Sequence, residues 1–426
     1  MRGMEKIATG SYRSYMSEEN GCPVSDQRLL SLDALRGFDM LFILGVAPLI
    51  VNLCALAGWG ESCWLARQMF HVEWDGLAHH DTIFPLFLFI AGVSFPFSFA
   101  KQLERGRSLL KIRLRILKRM VILCVLGYVY SGGGRFLPKD VGCLSVLARI
   151  GVSWALAAWL FTCCGWRTRA FVCAGVLIGY WALLNTVVAP DWTELGLAAP
   201  PSSLSPEGNV SGWFDRHWIP FFKSPAITPE IIAKKDFLSL TKAQSVLGNF
   251  SGMVTAMLGM FAGEFVKNRS LGWSGERKTL WMLGASVALL GAGVLFHCGL
   301  GAWSGPMNKK LWSTAFVLVV GAYSLVLFAA FHYLIDVKGW WGEKSSLVFR
   351  VVGMNSIFIY LASNLVSFQN LKVHLFGVFG KLALAMPASW GLDNRGWAVV
   401  ILAAGYVFIH WYLCWFLYRK KIFFKV

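Results

Sequence analysis

Apolar residues occur in runs of about twenty, separated by short polar stretches, along almost the whole chain. Ten runs stand out: 34–56, 82–100, 117–134, 144–164, 168–189, 244–266, 279–299, 311–335, 347–368 and 396–418. Coiled as an α-helix, a run of this length matches the thickness of a bilayer's hydrocarbon core. The pattern therefore predicts an all-α polytopic membrane protein with about 10 transmembrane helices. A further stretch, 376–388, is apolar but short and carries Lys381, which reads as an interfacial or re-entrant piece. Residues 1–28 are polar and contain no apolar core of the signal-peptide kind, so they read as a disordered cytoplasmic tail. The remainder, 29–426, reads as a single transmembrane domain. Within it, 190–243 is rich in Pro, Ser and Trp and too polar to span, and is expected to form a partly ordered extracytoplasmic cap.

Composition agrees with this picture. Of the 426 residues 56% are hydrophobic and only 15% charged, and the mean hydropathy is +0.55. A soluble chain would carry roughly a quarter charged residues. The net charge of +17 raises the question of a nucleic-acid partner. Its basic residues, however, fall in short clusters beside apolar runs, where they set orientation in the bilayer. Between the second and third runs, Lys101, Arg105, Arg107, Lys111, Arg113, Arg115, Lys118 and Arg119 face a single Glu104. That loop is expected to be cytoplasmic. With an even number of spans, both termini are then cytoplasmic as well. The ten cysteines show no paired spacing and read as packed or lipid-facing thiols.

Polar side chains inside or beside the apolar runs are the functional candidates, because ionisable groups cost about 2.5–3.5 kcal/mol there on insertion scales. Asp33, Arg36 and Asp39 open the first run, as a salt-bridged anchor or as a cationic contact for an anion. Arg149 sits within a run. Asn355 and Ser356 interrupt another, and helix–helix hydrogen bonding is the commoner explanation of such residues. Asn308, Lys309 and Lys310 place positive charge on the face where little is expected, either as a solvated loop or to meet an anionic group.

The stretch HVEWDGLAHHD, just before the second run, concentrates His71, His79, His80 and Asp81. If its turn folds back at the membrane face, His71 and Asp81 can approach each other. A carboxylate fixes the tautomer of an imidazole and raises its basicity, the requirement of a general base. His79 and His80 would diverge by about 100° on a helix, which disfavours a shared metal site. No HExxH or CxxC spacing supports a metal either.

Several ordered segments resemble the heparan-α-glucosaminide N-acetyltransferase family: LLSLDALRGFDMLFIL, HVEWDGLAHHDTIFPLFLFIAGVSFPFS, PMNKKLWSTAFVL, DVKGWWG, GMNSIFIYLASNLV and YRKKIFFKV. The similarity runs in order from about Arg28 to Val426. It implies transfer of acetyl from cytosolic acetyl-CoA, without a metal, to the amine of a terminal glucosamine across a membrane. By motif match, the family's active-site histidine falls on His71, its Asp before the IFP element on Asp81, and its polar Asn at the end of the first span on Asn52. Two departures stand out. The family's VLQR element reads VLAR, with Ala148 in place of Gln, and its DPEG element is replaced by LTKAQSVLG.

On this resemblance, Arg36, Lys118, Arg119 and Arg149 would meet the phosphates of coenzyme A, and Asn355 and Ser356 would line the path of its pantetheine arm. Asp39, Trp74, Asn308 and Lys309 are the candidates for the amino-sugar acceptor. His71 then serves as general base or becomes transiently acetylated. The chain would be a bacterial relative in the cytoplasmic membrane, able to pair as a homodimer, with no nucleic acid involved. Two other readings stay open: O-acetylation of a cell-envelope glycan, and secondary transport, since intramembrane charges also mark ion paths. No internal repeat of the two-half kind supports the transporter.

Overall fold

Within the described residues, each of the ten apolar runs is mainly helical, because a backbone in hydrocarbon must satisfy its N–H and C=O groups internally. The computed structural model describes residues 29–131, 145–218, 237–240, 245–387 and 393–424, together with Lys234. The expected tail over 1–28 and, of the expected cap, residues 219–233, 235–236 and 241–243 lie outside them. In chain order the helices are α1 (Leu30–Leu41), α2 (Ala47–Leu56), α3 (Trp64–Arg67), α4 (His79–Glu104), α5 (Leu109–Ser131), α6 (Val146–Cys163), α7 (Trp166–Thr186), α8 (Val210–Trp218), α9 (Gly248–Lys267), α10 (Gly275–Val294), α11 (Thr314–Phe331), α12 (Glu343–Gly353), α13 (Ser356–Leu365), α14 (Phe368–Leu384) and α15 (Asn394–Arg419). Extended structure among the described residues is limited to one isolated bridge, Val188 to Asn209.

Among the described residues, seven segments are long and apolar enough to cross a membrane: Leu30–Leu56, His79–Glu104, Val146–Cys163, Trp166–Thr186, Gly275–Gly299, Thr314–Val337 and Asn394–Arg419. An eighth results if the bent pair α12 and α13, at 50° to each other, forms one span. The protein is thus an all-helical, multi-pass membrane protein.

The other two expected spans are helices that fail the test of apolarity. α5 begins at Leu109, inside the basic segment, and carries Lys111, Arg113, Arg115, Lys118 and Arg119. α9 is rich in Gly, Ser, Thr and Met, and most of it is buried in protein, so it does not need the hydropathy of a lipid-facing helix. Within the 376–388 stretch, residues up to Leu384 are the end of a 17-residue helix, α14, which packs along α15.

The chain divides into two compact units. One comprises Glu73–Gly76 and Phe84–Tyr333. In it, α6, α7, α9 and α11 are joined by side chains that hydrogen-bond across helices, the usual glue where no hydrophobic drive separates helix from lipid. Ser153 donates to the Asn249 carbonyl at 3.2 Å, Ser251 to the Trp312 carbonyl at 2.7 Å, and Thr314 to the Leu177 carbonyl at 2.8 Å. α4 meets α9 backbone to backbone. A Cβ at Gly92 would collide with the Ala256 carbonyl, and one at Gly259 with that of Phe89.

Residues 190–218 of the expected cap lie within this unit. Asp191 and Arg216 form a buried ion pair at 2.7 Å. Asn209, the asparagine of an Asn-Val-Ser sequon, is buried and accepts from the Gly212 N–H at 2.7 Å while its amide donates to the Pro206 carbonyl at 2.8 Å.

The other unit comprises Leu29–Val72, Leu77–Ile83 and Leu334–Val426. α1 and α12 cross at a reciprocal glycine contact. A Cβ on Gly37 would strike the Phe349 carbonyl, and one on Gly353 that of Asp33. Between α1 and α2 the helix widens to a π turn over Phe42–Val46, with Gly45 at φ 118°. At the α12–α13 break, Asn355 takes up backbone groups that a continuous helix would have paired. Its amide donates to the Ile422 carbonyl at 3.0 Å and accepts from the Phe424 N–H at 3.0 Å, fastening the chain beyond α15.

Candidate active site

The start of α4 organises the site. The first N–H groups of a helix have no intrahelical acceptor, and here the residue that follows α3 supplies acceptors from outside. Gln68 accepts the His79 N–H with Oε1 at 2.9 Å and the His80 N–H with its carbonyl at 2.9 Å. Asp81, in the first turn, reaches back to the Ala78 N–H with Oδ2 at 3.4 Å, as the acidic member of a capping box does. The same oxygen accepts the Val72 N–H at 3.1 Å. A carboxylate at a helix N-terminus is also favoured by the helix dipole.

The second Asp81 oxygen is turned to His71. Nδ1 of His71 lies 2.7 Å from Oδ1 of Asp81. The two partners differ sharply in exposure: the carboxylate is 2% exposed and the imidazole 58%. An ionised carboxylate only accepts, so Nδ1 carries the proton and the neutral ring has its lone pair on Nε2. The arrangement can therefore accept a proton at Nε2 while Asp81 holds the ring and stabilises the imidazolium. The two neighbouring histidines diverge along the helix. The His80 ring packs 4.5 Å from that of His71, whereas the His79 ring meets Phe42, in the π turn, edge-on at 4.4 Å.

The other candidates of this unit stand apart from the pair. Asn52 is half-buried on α2, and the described hydrogen bonds do not join it to His71. Arg36 lies 3.5 Å from Asp33, a long contact between neighbours on one helix face. Asp39 is 2% exposed, and its Oδ2 has no hydrogen-bond partner among the described residues. Asn355 is engaged by the terminal backbone, as above, and Ser356 opens α13 beside it.

In the first unit, Trp74 donates from Nε1 to the Leu204 carbonyl at 2.9 Å, and Lys310 lies 6.0 Å above its ring. Asp75 accepts the Met307 N–H at 2.8 Å, tying this segment to the turn that precedes α11. In that turn Asn308 is fully buried and accepts the Leu311 N–H at 2.9 Å, a structural bond. Lys309 beside it is half-buried.

Lys118 is exposed on α5, and Arg119 lies 4.3 Å over the Trp154 ring. Arg149 is inside the protein. It donates from Nη2 to the Ser245 carbonyl at 2.9 Å and lies 4.9 Å over Trp312, a buried residue with φ 56°. Its Nε and Nη1 have no hydrogen-bond partner among the described residues.

Sequence reasoning missed Gln68, although a lone amide in the apolar, basic run CWLARQMF was a visible signal. It also missed the His80–His71 ring contact, which no spacing rule predicts. No cluster of three or more His, Cys, Asp or Glu close enough to hold a metal occurs among the described residues.

Helices fit to cross a bilayer mark a multi-pass membrane protein, and a carboxylate-held imidazole stands at the head of one of them. Residues 28–134, which contain the whole pair, match a family model described as a domain of unknown function, DUF5009. Heparan-alpha-glucosaminide N-acetyltransferase of Mus musculus is 24% identical over 441 residues, covering 94% of this chain and 61% of the relative. The protein of that name from Homo sapiens is 25% identical over 445 residues, covering 94% and 60%. The chain is a distant relative of these acetyltransferases. It spans about three-fifths of the length of the curated relatives it matches.

Proposed function

We propose that the protein is a transmembrane acetyltransferase, moving acetyl from cytosolic acetyl-CoA to the amine of glucosamine or of a glucosamine-terminated glycan such as a heparan sulfate fragment. The observation that carries this reading is the 2.7 Å contact between Nδ1 of His71 and the buried Asp81 carboxylate. Relatives named for N-acetyl transfer to glucosaminide give it its direction.

Chemically, an amine must lose a proton as it attacks the thioester carbonyl. Nε2 of His71 takes that proton, and the imidazolium returns it to the departing coenzyme A thiolate. Asp81 keeps the proton on Nδ1 throughout. Asn52 is the candidate to hold the acceptor or the thioester oxygen near this pair. Arg36, Lys118 and Arg119 are the candidate cations for the coenzyme A phosphates. Arg149, with two guanidinium nitrogens not hydrogen-bonded among the described residues, is a deeper one. Ser356 is retained for the pantetheine path, while the amide of Asn355 is engaged in holding the C-terminal segment. Asp39, Trp74 and Lys309 are the acceptor-side candidates, with Asn308 shaping the turn that carries Lys309.

In the cell, residues 29–426 act as one transmembrane domain in the cytoplasmic membrane, with both termini in the cytosol and His71 on the opposite face. The protein pairs as a homodimer.

The test is the purified protein in detergent, given labelled acetyl-CoA and glucosamine, with products identified by mass spectrometry. N-acetylglucosamine is expected, and an N-blocked glucosamine should not be acetylated. Acetylation of the N-blocked sugar alone would replace N-transfer with O-transfer, and uptake of solute by proteoliposomes without acetyl-CoA would replace both with transport.

A further inference from the structure

The second unit packs two thiols into one side-chain cluster. Cys54 lies on α2, and Cys63 is the N-cap of α3, its Sγ accepting the Ala66 N–H at 3.4 Å. The chain between them folds back on itself: the Trp59 N–H reaches the Cys54 carbonyl at 3.0 Å and the Cys63 N–H that of Gly60 at 3.4 Å. Gly58 and Gly60, at φ 76° and 72°, take the left-handed conformations that close this turn. Both side chains pack into one small apolar cluster with Ala47, Val51, Ala66 and Met69. Both are free cysteines in the structure. Cys54 is 2% exposed, whereas Cys63 is half-buried and open to attack.

We propose that Cys54 and Cys63 are a disulfide-forming pair, oxidised by thiol–disulfide exchange with a disulfide donor, and that the bond staples α2 to the segment leading into His71. Cys63, as thiolate, attacks one sulfur of the donor and releases the first donor thiol. Cys54 then gives up its proton and attacks the Cys63 sulfur, expelling the second donor thiol. The donor disulfide is reduced to two thiols and the protein loses two hydrogens. Such exchange proceeds in an oxidising compartment, and the charge pattern places this turn on the face opposite the basic 101–119 segment.

The bond matters to the site through Gln68. α3 ends at Arg67, and Gln68, next in the chain, holds the N–H groups of His79 and His80. Linking α3 to α2 restricts the local opening of the segment on which that cap depends.

Both cysteines fall within one tryptic peptide, Gly37–Arg67. Full-length protein in detergent is equilibrated with excess oxidised glutathione, quenched with N-ethylmaleimide, digested and weighed. The peptide is expected two hydrogens lighter than its thiol form and without maleimide, and to take two maleimides after reduction. A peptide with two maleimides, or with glutathione on either cysteine, at the oxidising poise overturns the proposal. In Cys54→Ser, Cys63 should retain one glutathione. An unmodified Cys63 there contradicts the order of attack. Oxidised wild-type protein should also unfold several degrees above the reduced form, and the Cys54→Ser/Cys63→Ser protein should show no such shift. Equal midpoints for the two wild-type forms would show that the bond staples nothing. None of these readouts involves acetyl transfer, so their failure leaves the proposed function standing.

Discussion

Replacing Asp81 by Asn tests the imidazole–carboxylate pair at the level of single protons. Oδ2 of Asp81 accepts two backbone N–H groups, from Val72 at 3.1 Å and Ala78 at 3.4 Å. Backbone donors cannot reverse their role, so the carboxamide oxygen of Asn must take that position. The amide nitrogen is then left facing Nδ1 of His71, 2.7 Å away in the native pair. A donor there forces Nδ1 to accept, which moves the ring proton to Nε2 and removes the lone pair a general base needs.

The expected loss in kcat is about 10²–10⁴, equivalent to about 3–5 kcal/mol of transition-state stabilisation. The fold should survive, since both backbone bonds persist and about 1–3 kcal/mol of charge-assisted hydrogen bonding is lost. The assay is steady-state acetylation of glucosamine with labelled acetyl-CoA, alongside thermal unfolding in the same detergent. A folded Asp81→Asn protein whose kcat lies within about fivefold of wild type, against the general-base magnitude above, would refute the tautomer argument.

Three further outcomes are expected. Arg36→Ala should raise the Michaelis constant for acetyl-CoA more than that for the acceptor, and equal changes in both would remove it from the donor site. Gly353→Ala should destabilise the protein by about 1–3 kcal/mol or more, read as a lower unfolding midpoint, because its Cβ would meet the backbone of Asp33 and Gly37, with no flexible side chain to give way. Gly179→Ala, where a Cβ meets open space, should be neutral or stabilising, and a matching loss there would show that the α1–α12 crossing is not the cause.

The sequence was most informative where hydrophobicity alone decides structure. The runs at 82–100, 311–335 and 396–418 became α4, α11 and α15 with small shifts, since lipid admits only helix there. It was least informative where helices break. The apolar pattern of 34–56 runs straight through the π turn at Phe42–Val46, because a widened turn costs no apolar residue and only Gly45 marks it. Likewise 347–368 conceals the bend at Asn355, whose partners at Ile422 and Phe424 lie almost seventy residues away.

The site was half legible in the same way. HVEWDGLAHHD displays a histidine and an aspartate ten residues apart, and the turn that joins them is local. The support from Gln68, the burial of Arg149 against Trp312 and the packing of Cys54 and Cys63 into one cluster are products of folding, invisible to spacing.

His71 is where the account stands most exposed. His71→Ala removes the base and leaves the Asp81 capping bonds to Val72 and Ala78 intact, so the protein should fold. In the labelled acetyl-CoA assay with glucosamine, beside wild type in the same preparation, we expect its turnover to fall by several hundredfold or more, within the range of about 10²–10⁴ for a general base. Turnover within a few-fold of wild type would contradict the assignment of His71 to the chemistry.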